Sequence, residues 1–308
     1  MYNICEVISI INPEFKRITL KDNTQMELIV IQPQNPIGTV QILHGMSEHI
    51  DRYINVAHFF SQLGYLVIMH NQRGHGKQIE ESLRGHFDSI IQLVDDAYEI
   101  FKTFQHPGRS ILLGHSMGSI IARKFITRYP EVFSDCILVG TGYYDMKYRS
   151  SIKLLESLIK IHGETKILKS VNQMSARQFN KKFKPLRTES DWLSLNPDNV
   201  DAFVRDPYCG INVSLQVMLS IAECMGETQK SKSMKLINPD TNLLFVSGMD
   251  DPFSNYGKGI HKLAKKYKKF GVDNVTVQLY ARSRHEVLNE VNQQEVLNNI
   301  GKWLKRNE

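Results

Sequence analysis

Ser110-Ile111-Leu112-Leu113-Gly114-His115-Ser116-Met117-Gly118 decides how this chain folds. Residues 110–114 are a short apolar run and read as a buried strand, and residues 119–128 carry a helical pattern. Between them lies G-x-S-x-G. The pattern alone is weak, but a sharp turn between a strand and a helix exposes the serine oxygen. Glycines on both sides of it let the backbone cross closely there. Ser116 is therefore the candidate nucleophile.

The chain around this turn repeats the same alternation. Residues 27–32, 38–44, 65–70, 136–140, 242–248 and 274–280 also read as strands, most of them nearly continuous in apolar side chains, as buried parallel strands are. Helical patterns occupy 53–63, 90–104, 255–270 and 287–304. This order predicts an α/β fold with a mostly parallel, doubly wound sheet. Residues 15–22 are expected to pair with 27–32 as a hairpin around Asn23. The alternation stops over residues 145–235, which are polar and helical in pattern. The clearest amphipathic runs there are 151–161 and 213–225. A helical cap inserted between core strands is expected, covering the sheet edge where open α/β sheets bind ligands. Residues 1–144 and 236–308 would form the core.

A serine hydroxyl needs a base, and the base needs a carboxylate to orient it. On such a sheet both should follow strands, in the order Ser, acid, His. Gly248-Met249-Asp250-Asp251-Pro252 follows the strand at 242–248, and Asp250 and Asp251 compete for the acid role. Of 11 histidines, only His285 follows the last strand. An oxyanion hole needs two backbone N–H groups. Met117 would give one. The other would come from Met46, in His44-Gly45-Met46-Ser47-Glu48-His49, where Gly45 permits a tight turn.

On these residues the chain resembles the α/β-hydrolase superfamily, and within it the lysophospholipase and monoacylglycerol lipase group. The segments that carry the likeness are HGMSEH (44–49), NQRGHG (71–76), GHSMGS (114–119), GMDDPF (248–253) and RHEVLNE (284–290). The resemblance implies Asp251 rather than Asp250 as the acid. It places the catalytic residues at Ser116, Asp251 and His285 and the oxyanion donors at Met46 and Met117. Ser47 departs from the glycine common in the family. Glu48, Arg73 and His75 match family positions and read as scaffold around the site. His115 reads as a satisfied core histidine pointing away from it. Relatives with an elbow aspartate, the haloalkane dehalogenases and epoxide hydrolases, are excluded by Ser116. The chemistry implied is acyl transfer from an ester, with no metal or organic cofactor. Lysophospholipids, monoacylglycerols and small soluble esters all remain open as substrates, and an alcohol could replace water as acceptor. Leu154, Leu155, Leu158, Phe179, Phe203, Phe183 and Val217 are the cap side chains expected to meet an acyl chain.

Composition narrows the partners. The 308 residues are 42% apolar and 23% charged, which excludes a disordered or fibrous chain. The formal charge is +6, and residues 145–235 hold 15 Lys and Arg against 10 Asp and Glu. A basic cap would favour anionic lipid surfaces or phosphate-bearing substrates. Lys258, Lys262, Lys265, Lys266, Lys268 and Lys269 crowd one helix without the aromatic pattern of a nucleic-acid module, so they read as a solvated face and nucleic acid is not expected. Cys5, Cys136, Cys209 and Cys224 show neither C-x-x-C spacing nor a metal-like cluster. The N-terminus has Glu6 and no basic residue before its short apolar run, unlike a secretory signal. No stretch approaches the roughly 20 apolar residues of a membrane span. A reducing cytoplasm is the expectation.

Overall fold

Side chains alternate between the two faces of a strand, and this period builds both halves of the core. The structure, a computed structural model, describes residues 11–306; Cys5 and the N-terminal stretch read above lie outside the described residues. Its strands are β1 (Glu14–Thr19), β2 (Gln25–Ile31), β3 (Gly38–Leu43), β4 (Leu66–His70), β5 (Arg109–His115), β6 (Asp135–Val139), β7 (Asn242–Gly248) and β8 (Val275–Tyr280). They form one sheet in the order β1-β2-β4-β3-β5-β6-β7-β8. β2 runs antiparallel to β1 and β4, and the other neighbours are parallel. The expected hairpin is present, with Asn23 turning it at φ 67°.

The helices are α1 (Ile54–Gln62), α2 (Ile90–Phe104), α3 (Met117–Arg128), α4 (Met146–His162), α5 (Lys169–Phe179), α6 (Pro197–Arg205), α7 (Leu215–Thr228), α8 (Ser231–Met234), α9 (Lys258–Lys269) and α10 (Gln293–Arg306). On one face of the sheet, Leu112, Leu138 and Phe245 pack with α2, α3 and α9. On the other, Ile111, Leu113 and Val246 pack with α1 and α10. Each such aliphatic side chain removed from water contributes about 1.5–3 kcal/mol.

Two expected helices begin later than their pattern suggests. Asn255 and Tyr256 have φ of 54° and 56°, so α9 starts at Lys258 rather than 255. Residues 287–292 lie before α10, in a loop folded around the Glu290 carboxylate, which accepts the Arg284 and Leu195 N–H groups at 2.9 Å each. The lysines of α9 are exposed or half-exposed, while Ile260, Leu263 and Tyr267 face the core.

Helices α4–α8 lie between β6 and β7, where the alternation stops in the sequence. One of them, α7, also packs into the core. Ser214 caps α7 by accepting the Val217 N–H, and Val217 and Met225 then join the core cluster of α2 and α3. Fully buried Arg123 on α3 donates to the carbonyls of Gly142 (3.0 Å) and Met225 (3.2 Å), fastening α7 to the sheet. Leu155 of α4 packs with Leu215 and Leu219 of α7.

Candidate active site

The turn between β5 and α3 sets the site. Ser116 has φ 51° and ψ −116°, a conformation rare for any residue but glycine. It occupies the N-cap of α3, where a serine side chain ordinarily accepts a helix N–H. Here no such cap forms, and Oγ turns instead to His285 Nε2 at 2.8 Å. The two glycines make the turn sterically feasible. A Cβ at Gly114 would stand 2.2 Å from the Gly118 carbonyl oxygen, and one at Gly118 would stand 2.0 Å from the Leu43 carbonyl oxygen.

Asp251, not Asp250, faces the imidazole. Its Oδ1 lies 3.1 Å from His285 Nδ1, and both side chains are buried. The ring N–H is not aligned on the carboxylate, since Nδ1 has no hydrogen bond among the described residues. Such contacts commonly tighten only once substrate is bound. Asp251 Oδ1 also accepts the Phe253 N–H at 2.9 Å, which anchors the acid. Asp250 is half-buried.

The loop after β3 is fixed by side chains on either side of Met46. Gly45 N–H donates to Glu48 Oε1 at 2.7 Å, and Ser47 N–H donates to His75 Nε2 at 3.0 Å. The Met46 N–H between them has no such partner among the described residues. Met117 opens α3, so its N–H has no carbonyl one turn back. Ser47 has φ 60°, the left-handed region that explains why glycine suits this position. Its hydroxyl donates to the Ile211 carbonyl at 2.8 Å.

Two histidines of the scaffold are neutral with fixed tautomers. A backbone N–H can only donate and a carbonyl can only accept. His75 therefore accepts at Nε2 from Ser47 and donates from Nδ1 to the Arg73 carbonyl, 2.9 Å away. His44 likewise accepts from Gln72 N–H (2.8 Å) and donates to the Gly45 carbonyl (2.7 Å). Burial pushes His75 down to about 4, and burial together with nearby His75 pushes His44 down to about 3. Arg73 is held by Asp96 and Asp22, at 2.6 Å each.

A buried ion cluster that the sequence did not single out joins the loops. Arg52 donates to Glu48 Oε2 (2.5 Å), to Glu286 Oε1 (2.7 Å) and Oε2 (2.6 Å), and to Asn199 Oδ1 on α6 (3.1 Å). Burial favours the neutral form of both glutamates. The Arg52 guanidinium overcomes this and holds both below the usual carboxylate range, with His115 adding to the effect. Burial opposes charge on His115, but its hydrogen bond to Glu48 Oε1 at 3.1 Å outweighs this and raises it above the ordinary value. His115 is buried, as expected, but its Nε2 has no hydrogen bond among the described residues and the ring does not point away. Its ring lies 4.9 Å from that of His285. Arg52→Met should destabilise the fold by about 3–5 kcal/mol, because it strands two buried carboxylates. Chemical denaturation checks this, and a loss under 1 kcal/mol would contradict it.

A cavity of about 350 Å³ opens onto Ser116, within the range of ligand pockets. Leu154, Leu155, Phe179 and Phe203 line it, as expected of cap residues. Three others do not. Leu158 packs in the α4–α7 cluster, Val217 belongs to the core, and Phe183 lies under the Arg284 guanidinium at 4.2 Å. Trp192 and Phe253 flank the His285 ring at 4.7 and 5.6 Å between centroids. The acidic side chains on the wall are Glu48 and Glu286, both paired with Arg52, and Glu189; His115 and His285 also line it, and no Lys or Arg does among the described residues.

Comparison with known proteins finds hydrolases among the relatives of this chain. A monoacylglycerol lipase of Mycolicibacterium smegmatis is 27% identical over 280 residues, covering 88% of this chain and 89% of the relative. A probable lysophospholipase L2 of Haemophilus influenzae is 28% identical over 143 residues, 44% of this chain and 45% of the relative. Among solved structures, a thermostable carboxyl esterase of Bacillus coagulans superposes with a TM-score of 0.87 at 21% identity, covering 95% of this chain and 98% of the other, and so supports the fold. The Hydrolase_4 family, described as serine aminopeptidase S33, matches residues 34–292. On this match the chain belongs to the Hydrolase_4 family, and it is an α/β-hydrolase similar to the monoacylglycerol lipase and lysophospholipase group.

Proposed function

We propose that the protein hydrolyses lipid-like carboxylic esters, with monoacylglycerols as the preferred class, through an acyl-enzyme on Ser116. The observation that carries this is the mainly aliphatic and aromatic cavity ending at Ser116 Oγ, with no lysine or arginine on its described wall. Such a wall suits one acyl chain and an uncharged head group. A phosphate there would find no lysine or arginine on the wall to pair with, which weighs against lysophospholipids. It also weighs against the phosphate-bearing substrates that the basic charge of residues 145–235 suggested.

In this reading Ser116 attacks the ester carbonyl while His285 Nε2 takes its proton. Asp251 orients the imidazole and stabilises its charged form. The Met46 and Met117 N–H groups hold the oxyanion, and Trp192 and Phe253 keep bulk water from the ring. His285 then returns the proton to the departing alcohol and activates water to release the acid. Residues 145–235 act as the cap over the α/β core.

A panel of monoacylglycerols, lysophosphatidylcholine and p-nitrophenyl esters of graded chain length tests the substrate. The expected kcat/KM favours monoacylglycerol over lysophosphatidylcholine by about tenfold or more, the effect of 1.4 kcal/mol. Activity confined to short soluble esters would leave a general esterase, and a preference for lysophosphatidylcholine would overturn the head-group reading.

The cap face is also proposed to meet membranes. Met146, Leu154, Ile161 and Met174 are 71, 46, 74 and 53% exposed, and exposed Lys153, Lys160 and Lys169 lie among them on α4 and α5. Leu154 and Met174 also line the cavity, so its mouth opens on this face. Binding to anionic vesicles should weaken as salt rises. Salt-independent binding, or none, would contradict this.

A further inference from the structure

The fold brings Cys209 beside two donors that cysteine spacing along the chain did not reveal. His49 ends the loop that carries Met46, and Asp206 and Cys209 lie in the turn after α6. One donor atom from each lies within 4.8 Å of the other two, and His49 Nε2 stands 2.8 Å from Asp206 Oδ2. His49 and Cys209 are buried, while the Asp206 side chain is 29% exposed and leaves a path from solvent.

We propose that His49, Asp206 and Cys209 form a site for a zinc-type divalent transition metal that ties residues 206–211 to the oxyanion loop. An imidazole nitrogen, a carboxylate oxygen and a thiolate sulfur form a donor set suited to zinc, with a fourth position for water. Asp206 and Cys209 are three residues apart on one turn, a spacing that places two donors on a single ion. That turn is set by its own hydrogen bonds. Cys209 N–H donates to the Asp206 carbonyl (3.1 Å), and Tyr208 N–H donates to Asp206 Oδ1 (2.8 Å), so that Oδ2 faces His49.

Behind His49, buried Nδ1 has no hydrogen bond and faces Asp51 Oδ2 at 3.8 Å. A metal-bound histidine typically donates its other ring N–H to a carboxylate; here Asp51, which also pairs with Lys77, stands just beyond hydrogen-bond distance. Metal binding sends the Cys209 thiol proton to solvent and moves the His49 proton from Nε2, where it meets Asp206, to Nδ1, so affinity rises with pH. It adds a third link where Gly210 N–H already donates to the Ser47 carbonyl and the Ser47 hydroxyl to the Ile211 carbonyl, each at 2.8 Å, one residue from Met46. Metal binding does not depend on the hydrolase reading.

The test titrates chelator-stripped full-length protein with Co²⁺ and then displaces it with Zn²⁺. One equivalent should bind, with a near-ultraviolet thiolate-to-cobalt band that grows with pH. Cys209→Ser should abolish the band. Near-isosteric Asp206→Asn should raise the dissociation constant at least tenfold, and His285→Ala should keep both binding and band. The proposal fails if no stoichiometric cobalt binds or if bound cobalt lacks the band. It also fails if His285→Ala loses the metal while a folded Cys209→Ser or Asp206→Asn binds it unchanged.

Discussion

Ser116→Ala should lower kcat for ester hydrolysis by about four to six orders of magnitude, the scale seen when a triad nucleophile is removed. The loss should come without unfolding. The Ser116 Oγ makes no helix cap, so its removal takes away only the 2.8 Å contact with His285. Alanine also relaxes nothing in the turn, because the backbone at φ 51° is held by the neighbouring glycines and by Ser116 N–H donating to the Val139 carbonyl at 3.0 Å. A fluorophosphonate probe should label the wild type at Ser116 and leave the variant untouched, with circular dichroism unchanged. Labelling that persists in the variant, or activity within tenfold of wild type, would remove Ser116 from the mechanism.

The second large effect separates two adjacent carboxylates. Asp251→Asn should reduce kcat by about 10⁴, because an amide can favour the wrong tautomer of His285. Asp250→Asn should change it by only about a few-fold. Asp251 is fully buried and 3.1 Å from Nδ1, while half-buried Asp250 reaches this region through its backbone, donating N–H to the Ser283 carbonyl at 3.0 Å. Initial rates of both variants with one p-nitrophenyl ester decide the matter. A large loss in Asp250→Asn with a small one in Asp251→Asn would reverse the assignment.

Legibility in the sequence followed the range of the interactions. Strands with continuous apolar runs, such as residues 136–140 and 242–248, announced themselves locally, and so did the elbow at Ser116. The acid was different. Spacing after the strand left Asp250 and Asp251 equal, and resemblance had to choose between them. Arg52 has one local partner, Glu48 four residues before it, but the rest of its cluster is distant: Glu286, 234 residues away, and Asn199 on α6. The cap was legible as a region but not as a set of contacts. Val217 sits on α7, whose inner face completes the core against α3, while Leu158 fills the seam between α4 and α7. Amphipathic spacing shows that a face is buried without saying which neighbour buries it. The charge excess of residues 145–235 was readable too, but its placement was not, because the cavity wall those residues help to form carries carboxylates and no described lysine or arginine.

The most direct measurement is to trap the acyl-enzyme. Protein mixed with excess p-nitrophenyl decanoate and quenched in acid within a turnover should show one added decanoyl group by intact-mass analysis. The adduct should map to the peptide containing Ser116 and be absent from Ser116→Ala. Turnover of the ester with no adduct at any quench time, or an adduct on another residue, would contradict a Ser116 acyl-enzyme.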